Sequence, residues 1–298
     1  MISVLVPVYN NDIAALVASL RHQAALLPCP AEIVVIDDAS REEIKQSNQN
    51  VAGSGAVVYE ELPCNVGRFK IRQVLASRAR YPWLLFIDGD SSIPNNTFLQ
   101  DYYEALNKGA AVIIGGRIYP RVKPEQCQKM LHWKYGKNRE DIVKQKQGFL
   151  TNNFCIQKQV FGQLQQPHHC SGYGHEDTWM GMQLDQLGAR FLYINNPVVH
   201  NEIEDVSIFL GKTGEALENL KMISQTVDEA LLARHVRLFR WFCRLRKMKL
   251  LKPLVKLVAA TESGIVRNLS SCNPSLLLFD LYRLARFAKL MHQPNTER

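Results

Sequence analysis

The sequence lacks long hydrophobic runs and paired cysteine motifs. No stretch of about 18 uncharged apolar residues occurs in the 298 residues, so a membrane-spanning helix is not expected. Strand-like residues begin at Ile2 and leave no room for the charged and apolar segments of a signal peptide. The seven cysteines are odd in number and include no Cys-x-x-Cys pair, so we predict reduced thiols in a cytoplasmic protein.

Acidic residues are scarce in the C-terminal region. Residues 234–298 hold 14 Lys and Arg but only three Asp and Glu, and this region accounts for the positive net charge of the whole chain, +8. Such an asymmetry predicts an anionic partner. In a helix, apolar residues would share one face and basic residues another: Leu238, Trp241, Phe242, Leu245 and Met248 against Arg237, Arg240, Arg244 and Lys247.

A basic amphipathic helix of this kind is typical of proteins that lie in a membrane interface. We therefore predict that residues 234–291 contact an anionic membrane surface, at the inner face of the cytoplasmic membrane. The alternative is a helix packed on the rest of the protein, with its basic residues solvated. No recognised nucleic-acid motif accompanies the charge, so nucleic acid is not an expected partner.

The first 116 residues alternate strand and helix patterns. Amphipathic stretches predict helices over 12–27, 67–80 and 97–107, the last one capped by Asn96. Near-continuous apolar runs between them indicate a mostly parallel sheet with helices on both faces, which is a Rossmann-like α/β fold. The predicted strands are 2–8, 32–38, 55–61, 81–88 and 110–116.

The remaining residues are less regular. One helix is predicted from Glu176 to Gly188, followed by a strand over 189–194. Further helical patterns predict a basic, helical C-terminal extension, with helices over 215–232, 234–250 and from a cap at Asn273 to Met291. We therefore predict one α/β domain over 1–205, divided at residue 116, and a helical region over 206–298.

Two carboxylates follow the fourth predicted strand in "LLFIDGDSS" (84–92). Asp88 and Asp90 flank one glycine, and ligands of parallel α/β sheets bind at the carboxyl ends of strands. Carboxylate oxygens suit Mg²⁺ or Mn²⁺, which commonly bridge protein carboxylates to substrate phosphates. An Asp-Gly turn without further function is the alternative for this motif taken alone.

Five motifs occur in an order that resembles one known family. They are "VPVYN", "VIDDAS", "NVGRFKIRQ", "FIDGDSS" and "GYGHEDTWMGMQL". Together they resemble family 2 glycosyltransferases of the GT-A fold, and most closely the galactosyltransferase-like and chondroitin-polymerase-like members, over about residues 1–200. The resemblance implies an inverting transferase with a UDP-sugar donor, with 1–116 as the nucleotide-sugar half and 117–205 as the acceptor half.

The resemblance places the donor nucleotide at the first, second and fourth strands. Tyr9 offers an aromatic face to the uracil ring, and Asp38 accepts a hydrogen bond from a pyrimidine N–H. Each residue also has a structural alternative. Tyr9 could pack at the sheet edge, and Asp38 could cap a helix. Arg68 and Arg72 could be solvated or paired with acids. The implied nucleotide-binding residues are Pro7, Tyr9, Asn10, Asp38, Asn65, Arg68, Arg72, Asp88 and Gly89.

The resemblance also implies a site for Mn²⁺ or Mg²⁺. Asp90 is the direct ligand, Asp88 holds the ribose or a metal-bound water, and His200 in "NPVVHNE" completes the metal shell. An ordinary loop histidine is the alternative for His200. The "HHC" sequence at 168–170 lacks the spacing of a structural zinc site and is not expected to bind metal.

The acceptor-side motif supplies the remaining chemistry. Transfer with inversion needs a base that deprotonates the acceptor hydroxyl, and the resemblance assigns this role to Asp177. The other implied acceptor-side residues are Gly174, His175, Glu176 and Trp179. Trp179 can stack on a sugar ring, and packing in the core is its alternative. Acids at a helix start are ordinary caps, so the Glu-Asp pair alone carries little weight.

The predicted function is transfer of a hexose or N-acetylhexosamine to a glycan or lipid-linked acceptor in bacterial surface polysaccharide synthesis. Processive relatives carry Gln-x-x-Arg-Trp, whereas "RLFRW" (237–241) has Arg237 at the Gln position, so a processive polymerase is not expected. A sugar-nucleotide pyrophosphorylase is one alternative, although "VPVYNND" lacks its glycine-rich loop. A catalytically inactive, membrane-associated binding subunit is another, although Asp90 and Asp177 are both present.

Overall fold

The computed structural model describes residues 1–51, 57–141, 149–167 and 173–293. The chain folds into two compact units, and each unit is assembled from separate segments of the chain. Unit 1 comprises Met1–Pro120, Arg139–Gln166 and Gln183–Glu202, and unit 2 comprises Arg121–Asn138, Pro167–Met182 and Ile203–Arg298. The chain therefore passes more than once from one unit to the other.

Within the described residues, unit 1 is built on a mixed sheet of seven strands. The strands are β1 (Ile2–Val8), β2 (Ala31–Asp37), β3 (Val57–Glu61), β4 (Trp83–Ile87), β6 (Val112–Ile114), β8 (Asn153–Gln157) and β9 (Phe191–Tyr193). A short second sheet joins β5 (Ser91–Ser92), β7 (Arg117–Ile118) and β10 (Val198–His200). The order across the large sheet is β3-β2-β1-β4-β8-β6-β9, and only β8 runs antiparallel to its neighbours in this described sheet.

Helices are arranged around the sheet of unit 1. They are α1 (Ala14–Ala25), α2 (Glu42–Gln49), α3 (Arg68–Arg78), α4 (Phe98–Ala105) and α6 (Lys158–Phe161). Leu20 of α1 and Tyr102 of α4 belong to the same buried cluster as Val4 and Val6 of β1, while α3 packs against β1 and β2. Burial of the strands in this way explains their near-continuous apolar sequences and confirms the predicted fold class.

The carboxyl ends of β1, β2 and β4 meet at one edge of the sheet. Val8 pairs with Asp37 in the parallel register, so the residues after both strands lie side by side. Because β8 is antiparallel to β4, its first residue, Asn153, lies opposite Ile87 at the end of β4. The sequence analysis did not predict β8, and this strand brings additional polar residues to the edge.

In the described part of unit 2, helices alone form the regular structure, apart from a 3₁₀ turn at Cys127–Lys129 and a π turn that begins at Gly136. The helices are α5 (Met130–Tyr135), the start of α7 (Glu176–Gln186), α8 (Val206–Thr226), α9 (Glu229–His235), α10 (Arg237–Lys247), α11 (Leu251–Leu269) and α12 (Leu276–His292). One apolar cluster centres on Leu220, Phe239 and Phe287, and another contains Ile265 and Phe279. These clusters give unit 2 its own core.

Several predicted helix boundaries in the C-terminal region are wrong. The predicted helix over 215–232 is α8 followed by α9, and α9 begins where the Asp228 carboxylate accepts hydrogen bonds from the N–H groups of Ala230 and Leu231. The sequence analysis missed α11 because its N-cap, Leu250, supplies no side-chain cap that could mark the start.

Two predicted caps are also wrong. Thr97, and not Asn96, is the N-cap of α4, and it makes no side-chain cap bond. Ser275, and not Asn273, caps α12, with its Oγ accepting a hydrogen bond from Leu278 N. Both errors are shifts of one or two residues, which local sequence patterns do not resolve.

The apolar face predicted to meet a membrane lies largely inside unit 2. Phe242 is buried, and Leu238 and Leu245 pack against the cluster that contains it. Only Trp241 and Met248 of the predicted stripe are exposed. The alternative of a packed helix is therefore correct for most of this face. Among the described residues, every helix is too short or too polar to span a bilayer.

The prediction that all cysteines are reduced is wrong for one pair. Cys127, in the 3₁₀ turn, and Cys272, between α11 and α12, form a disulfide across 145 residues of sequence. Lys134 Nζ reaches the same α11–α12 connection, where it donates to Asn273 Oδ1 and to the Pro274 carbonyl at 2.8 Å each. The partners are distant in sequence, so no spacing motif could indicate the pair.

Candidate active site

Asp88, directly after β4, is paired with Arg72 of α3. Arg72 Nη2 donates to Asp88 Oδ1 at 2.5 Å and to the Thr151 carbonyl at 3.2 Å. Burial raises the pKa of the Asp88 carboxyl, and the charge of the buried Arg72 opposes this effect. Arg72 is thus paired with an acid, which was the alternative to nucleotide binding. Direct binding of the nucleotide by Arg72 stays a prediction.

Asp90 faces His200 because two short strands pair. Ser91 of β5 lies opposite His200 of β10 in an antiparallel register, and His200 Nδ1 lies 3.3 Å from Asp90 Oδ2. Burial alone would raise the pKa of Asp90, but the hydrogen bond and charge of His200, with the charges of Arg68 and Arg117, lower that pKa to about 2. The structure therefore brings together two of the three predicted metal ligands.

The donor atoms of this group fit a hard divalent cation. Asp90 and Asp88 supply carboxylate oxygens and His200 supplies an imidazole nitrogen, a set that Mn²⁺ accepts. Arg72 binds only one of the two Asp88 carboxylate oxygens, so the other remains available. Among the described residues, no three His, Cys, Asp or Glu side chains form a preassembled metal site. Metal binding therefore stays a prediction that the donor chemistry supports.

Asp38, after β2, holds the loop that precedes α3. Its carboxylate accepts hydrogen bonds from Val66 N at 2.7 Å and Gly67 N at 3.1 Å, and Asn65 Nδ2 donates to its carbonyl at 3.1 Å. Burial raises the pKa of Asp38, the two N–H donors oppose the shift, and the charge of Asp37 adds to it. Asp38 therefore fixes the loop before α3 and does not cap the helix itself, and any bond to uracil must use its remaining acceptor capacity.

The turn after β1 is fixed by Asn10. This residue has a φ of 58°, its N–H donates to Ser40 Oγ at 2.7 Å, and its Oδ1 accepts from Arg41 N at 2.9 Å. Asparagine tolerates the left-handed conformation better than most residues do. The preceding Tyr9 keeps 53% of its surface exposed, so its ring is available for stacking against a flat ligand.

Gly89 allows the Asp-Gly-Asp turn to approach β1. A Cβ atom at this position would lie 3.1 Å from the Pro7 carbonyl oxygen and 3.3 Å from Ile13 Cγ2. A larger side chain would therefore push the two carboxylates away from the end of β1. Arg68, at the first position of α3, is exposed and lowers the pKa of the Asp90 carboxyl, which places its positive charge near the site.

The acceptor-side motif lies in unit 2, where α8 holds the turn before α7. Gly174 has a φ of 102°, and a Cβ atom there would lie 2.6 Å from Ala216 Cβ. Asn219 Nδ2 donates to the carbonyls of Tyr173 at 3.2 Å and Gly174 at 3.1 Å. Glycine is therefore required here both by the backbone conformation and by the close approach of α8.

The first turn of α7 carries the predicted base. Asp177 Oδ1 accepts a hydrogen bond from Thr178 N at 2.6 Å, and Glu176 is the first residue of the helix. His175 Nδ1 lies 3.0 Å from Thr178 Oγ1, and burial lowers the pKa of His175 to about 4, which keeps it neutral near pH 7. Trp179 packs against the apolar cluster of unit 2, as the alternative of core packing predicts. The catalytic and acceptor-binding roles stay predictions.

Sequence reasoning missed two residues beside the Asp-Gly-Asp turn. Arg117 of β7 lowers the pKa of Asp90 and forms an ion pair with Glu140, which also accepts from the Tyr119 hydroxyl. Asn152 accepts from Asp88 N through its carbonyl, and its buried side-chain amide has no hydrogen-bond partner among the described residues. Arg117 directly follows a predicted strand, and this position could have indicated a residue of the site. Asn152 precedes a strand that was not predicted. The "HHC" sequence lies outside the described residues.

The fold and the site together define a class of protein. A mostly parallel sheet with carboxylates at the ends of β2 and β4, followed by an acidic helix start, is the arrangement of a GT-A glycosyltransferase. The family model described as glycosyl transferase family 2 matches residues 3–164, and the chain belongs to this family. This confirms the family predicted from the motifs.

Solved structures of other glycosyltransferases share the fold. Staphylococcus aureus TarS 1–349 in complex with UDP-GlcNAc has 18% identity and a TM-score of 0.56, over 97% of this chain and 90% of that one. The mannosyltransferase PcManGT from Pyrobaculum calidifontis, with GDP-Man and Mn²⁺, has 12% identity and a TM-score of 0.56, over 97% and 86%.

A third structure is glucosyl-3-phosphoglycerate synthase from Mycobacterium tuberculosis with Mn²⁺, UDP and glucosyl-3-phosphoglycerate. It has 17% identity and a TM-score of 0.51, over 75% of this chain and 78% of that one. Identities this low show a shared fold and do not transfer a substrate. No curated protein sequence matches the chain.

Proposed function

We propose that the protein is an inverting, metal-dependent transferase that moves a hexose or N-acetylhexosamine from a UDP-sugar to a glycan or lipid-linked acceptor. The observation that carries this proposal is the approach of His200 to Asp90, beside Asp88 at the carboxyl end of β4, in a chain of family 2. UDP as the donor nucleotide is part of the proposal; the TarS and M. tuberculosis structures contain UDP-GlcNAc and UDP, and the PcManGT structure contains GDP-Man.

The donor is held by residues of unit 1 in this proposal. Tyr9 stacks on the uracil ring, and the N–H groups at the start of α3, with Arg68, attract the diphosphate. Asp90 and His200 would hold Mn²⁺ or Mg²⁺, with Asp88 assisting, and Arg72 keeps the Asp88 carboxylate in place. When bound, the metal supplies stabilisation of the negative charge that develops on the leaving diphosphate.

The acceptor hydroxyl loses its proton to the Asp177 carboxylate in this proposal. A single displacement then forms the new bond to the anomeric carbon and releases UDP, so the configuration at that carbon inverts. Gly174 and His175 shape the turn that positions the start of α7, and Glu176 binds the acceptor. The reaction supports synthesis of a bacterial surface polysaccharide at the inner face of the cytoplasmic membrane.

A screen of UDP-sugars tests the proposal. Hydrolysis or transfer of one UDP-sugar should stop in EDTA and return with Mn²⁺ or Mg²⁺. Asp90→Ala should stay inactive even at high metal concentration, because the cation loses a charged ligand. Glu43→Ala, which removes an exposed carboxylate from α2, is the matched control and should keep full activity. Full activity in EDTA would contradict the metal assignment, and inactivity with every UDP-sugar would contradict the donor class.

A further inference from the structure

The surface around the connection between α10 and α11 is strongly positive, and of its basic side chains Arg246 is paired with an acid, Glu229. Between Glu229 and Glu262 the chain contains no Asp or Glu. We define the α10–α11 corner as residues 244–257, which include the end of α10, the connection and the start of α11. Six basic residues lie in this short range: Arg244, Arg246, Lys247, Lys249, Lys252 and Lys256.

The connection itself is a tight, well-defined turn. Leu250 N donates to the Leu245 carbonyl at 2.9 Å, and Lys249 N donates to the Arg246 carbonyl at 3.1 Å. This pair of bonds is the Schellman arrangement, in which the residue after the cap takes a left-handed conformation. That residue is Lys249, with a φ of 59°. Glycine is usually favoured there, so the turn places a long cationic side chain where none is needed for folding.

Large apolar side chains project to solvent among these cations. Met248 is 63% exposed, Leu250 is 42% exposed and Leu257 is 62% exposed. On the same elements, Leu251 and Val258 are buried in the apolar clusters of unit 2, so the core of this region is already filled. The exposed side chains are therefore additional to the core.

The lysines of the corner are not neutralised by the protein. Lys249, Lys252 and Lys256 are exposed, and their side-chain ammonium groups make no hydrogen bond or ion pair among the described residues. By contrast, Arg246 Nη2 donates to Oε1 and Oε2 of Glu229, at 2.7 and 2.6 Å. The corner therefore combines three exposed cations with three exposed apolar side chains, a composition that an anionic lipid interface attracts.

We propose that the α10–α11 corner docks on an anionic lipid bilayer. Met248, Leu250 and Leu257 enter the interface, and Lys249, Lys252 and Lys256 contact the lipid headgroups. A second copy of the chain would present the same positive charge and be repelled. A nucleic acid duplex would bind mainly through its phosphates and would leave Met248, Leu250 and Leu257 exposed. The proposal does not depend on sugar transfer, because docking is measured without donor or acceptor.

Co-sedimentation of the full chain with vesicles tests the proposal. Binding should be strong to vesicles of about 70% phosphatidylcholine and 30% phosphatidylglycerol, weak to pure phosphatidylcholine, and should decrease as salt rises. Each cation near such a surface contributes about fivefold in affinity, so Lys249→Glu/Lys252→Glu/Lys256→Glu should weaken binding at least about 100-fold. Met248→Ser/Leu250→Ser/Leu257→Ser should also weaken binding, although its net charge is unchanged.

A charge-matched control separates the corner from the net charge. Lys108→Glu/Arg121→Glu/Lys123→Glu reverses three exposed basic residues outside α10, α11 and α12 and should retain most of the binding. Equal losses in both charge-reversal variants would overturn the proposal, and so would an apolar variant that binds like the unmodified protein. Tighter binding of a DNA duplex than of anionic vesicles would also overturn it. Circular dichroism of each variant confirms that the fold is intact.

Discussion

At the scale of single residues, each carboxylate of the candidate site has a different kind of partner. Asp88 is paired with a buried arginine, Asp90 with a histidine, and Asp38 with backbone N–H groups. Burial raises the pKa values of Asp88 and Asp38 although their partners act in the opposite direction, whereas His200, Arg68 and Arg117 lower the pKa of Asp90. Three carboxylates that all follow strands therefore differ in their partners and in their pKa values, and the sequence motifs alone do not show this difference.

The role of Asp177 is tested at this scale. Asp177→Asn keeps the size and most of the hydrogen bonding of the side chain but removes its ability to accept a proton. A positioned base typically contributes ~10²–10⁴-fold, so transfer should decrease by about that factor while UDP binding stays nearly unchanged. Steady-state rates and isothermal titration with UDP measure the two effects, and NMR of the product reports its anomeric configuration.

Glu176→Gln is the neighbouring control. It should affect acceptor affinity more than turnover, because Glu176 is assigned to binding. A transfer rate for Asp177→Asn close to that of the unmodified protein would move the base elsewhere, with Glu176 the next candidate. A product with the same anomeric configuration as the donor would contradict the inverting mechanism.

At the scale of elements, one buried acid ties the start of β1 to the segment before β4. Glu32 of β2 is 2% exposed and accepts from Ser3 Oγ at 2.6 Å, Arg80 N at 2.6 Å and Arg80 Nε at 2.7 Å. Burial would raise the pKa of Glu32, but the hydrogen bonds from Ser3 and Arg80 and the charge of Arg80 lower it below its usual value. The carboxylate therefore stabilises the arrangement of three neighbouring segments.

Glu32→Gln tests this contribution through its pH dependence. The variant should lose about 1–3 kcal/mol of stability at pH 7, because hydrogen bonds to a charged acceptor are replaced. Because the folded-state pKa is lowered, the stabilisation is present above the unfolded pKa and is lost as the pH decreases below it. Urea unfolding should therefore show a difference at pH 7 that shrinks below about pH 4. Glu43→Gln, an exposed control on α2, should show no difference at either pH.

At the scale of the whole molecule, the Cys127–Cys272 disulfide bears on where the protein works. It closes a long loop of chain within which most of unit 2 and part of unit 1 are formed. Structural disulfides are typical of oxidising compartments and rare in the cytosol. The disulfide therefore favours an oxidising compartment, whereas the proposed location at the cytoplasmic face is a reducing one.

Removal of the disulfide tests its contribution. Cys127→Ser/Cys272→Ser should lower the free energy of unfolding by about 2–5 kcal/mol, because the unfolded chain regains the freedom of the long loop. Dithiothreitol should destabilise the unmodified protein by a similar amount and leave the double variant unchanged. Cys64→Ser, which removes an exposed free thiol, is the control and should not alter the response.

Thiol alkylation followed by mass spectrometry gives an independent answer. Protein purified without reductant should leave Cys127 and Cys272 unlabelled, whereas the free cysteines react after unfolding. Labelling of all seven cysteines would instead support the original prediction of reduced thiols and agree with a cytoplasmic location.

The sequence by itself determined the parts of this protein that depend on local pattern. Apolar runs located β1, β2 and β4, because a strand buried on both faces must be apolar at nearly every position. The ordered motifs then indicated family 2, which the family match confirms. Glu176 was correctly predicted as the start of a helix, because acidic residues in the first turn are a local signal.

Only the tertiary structure decided which distant residues meet. His200 reaches Asp90 through the pairing of β5 with β10, and Cys127 reaches Cys272 across 145 residues. Phe242 has the pattern of a membrane-facing residue, yet it lies in the core of unit 2. Local periodicity shows that a helix has an apolar face, but what covers that face depends on helices far away in the sequence. The packing of α11 buries the face that carries Leu251 and Val258 and leaves Leu257 at the surface, where hydrophobicity alone would not place it.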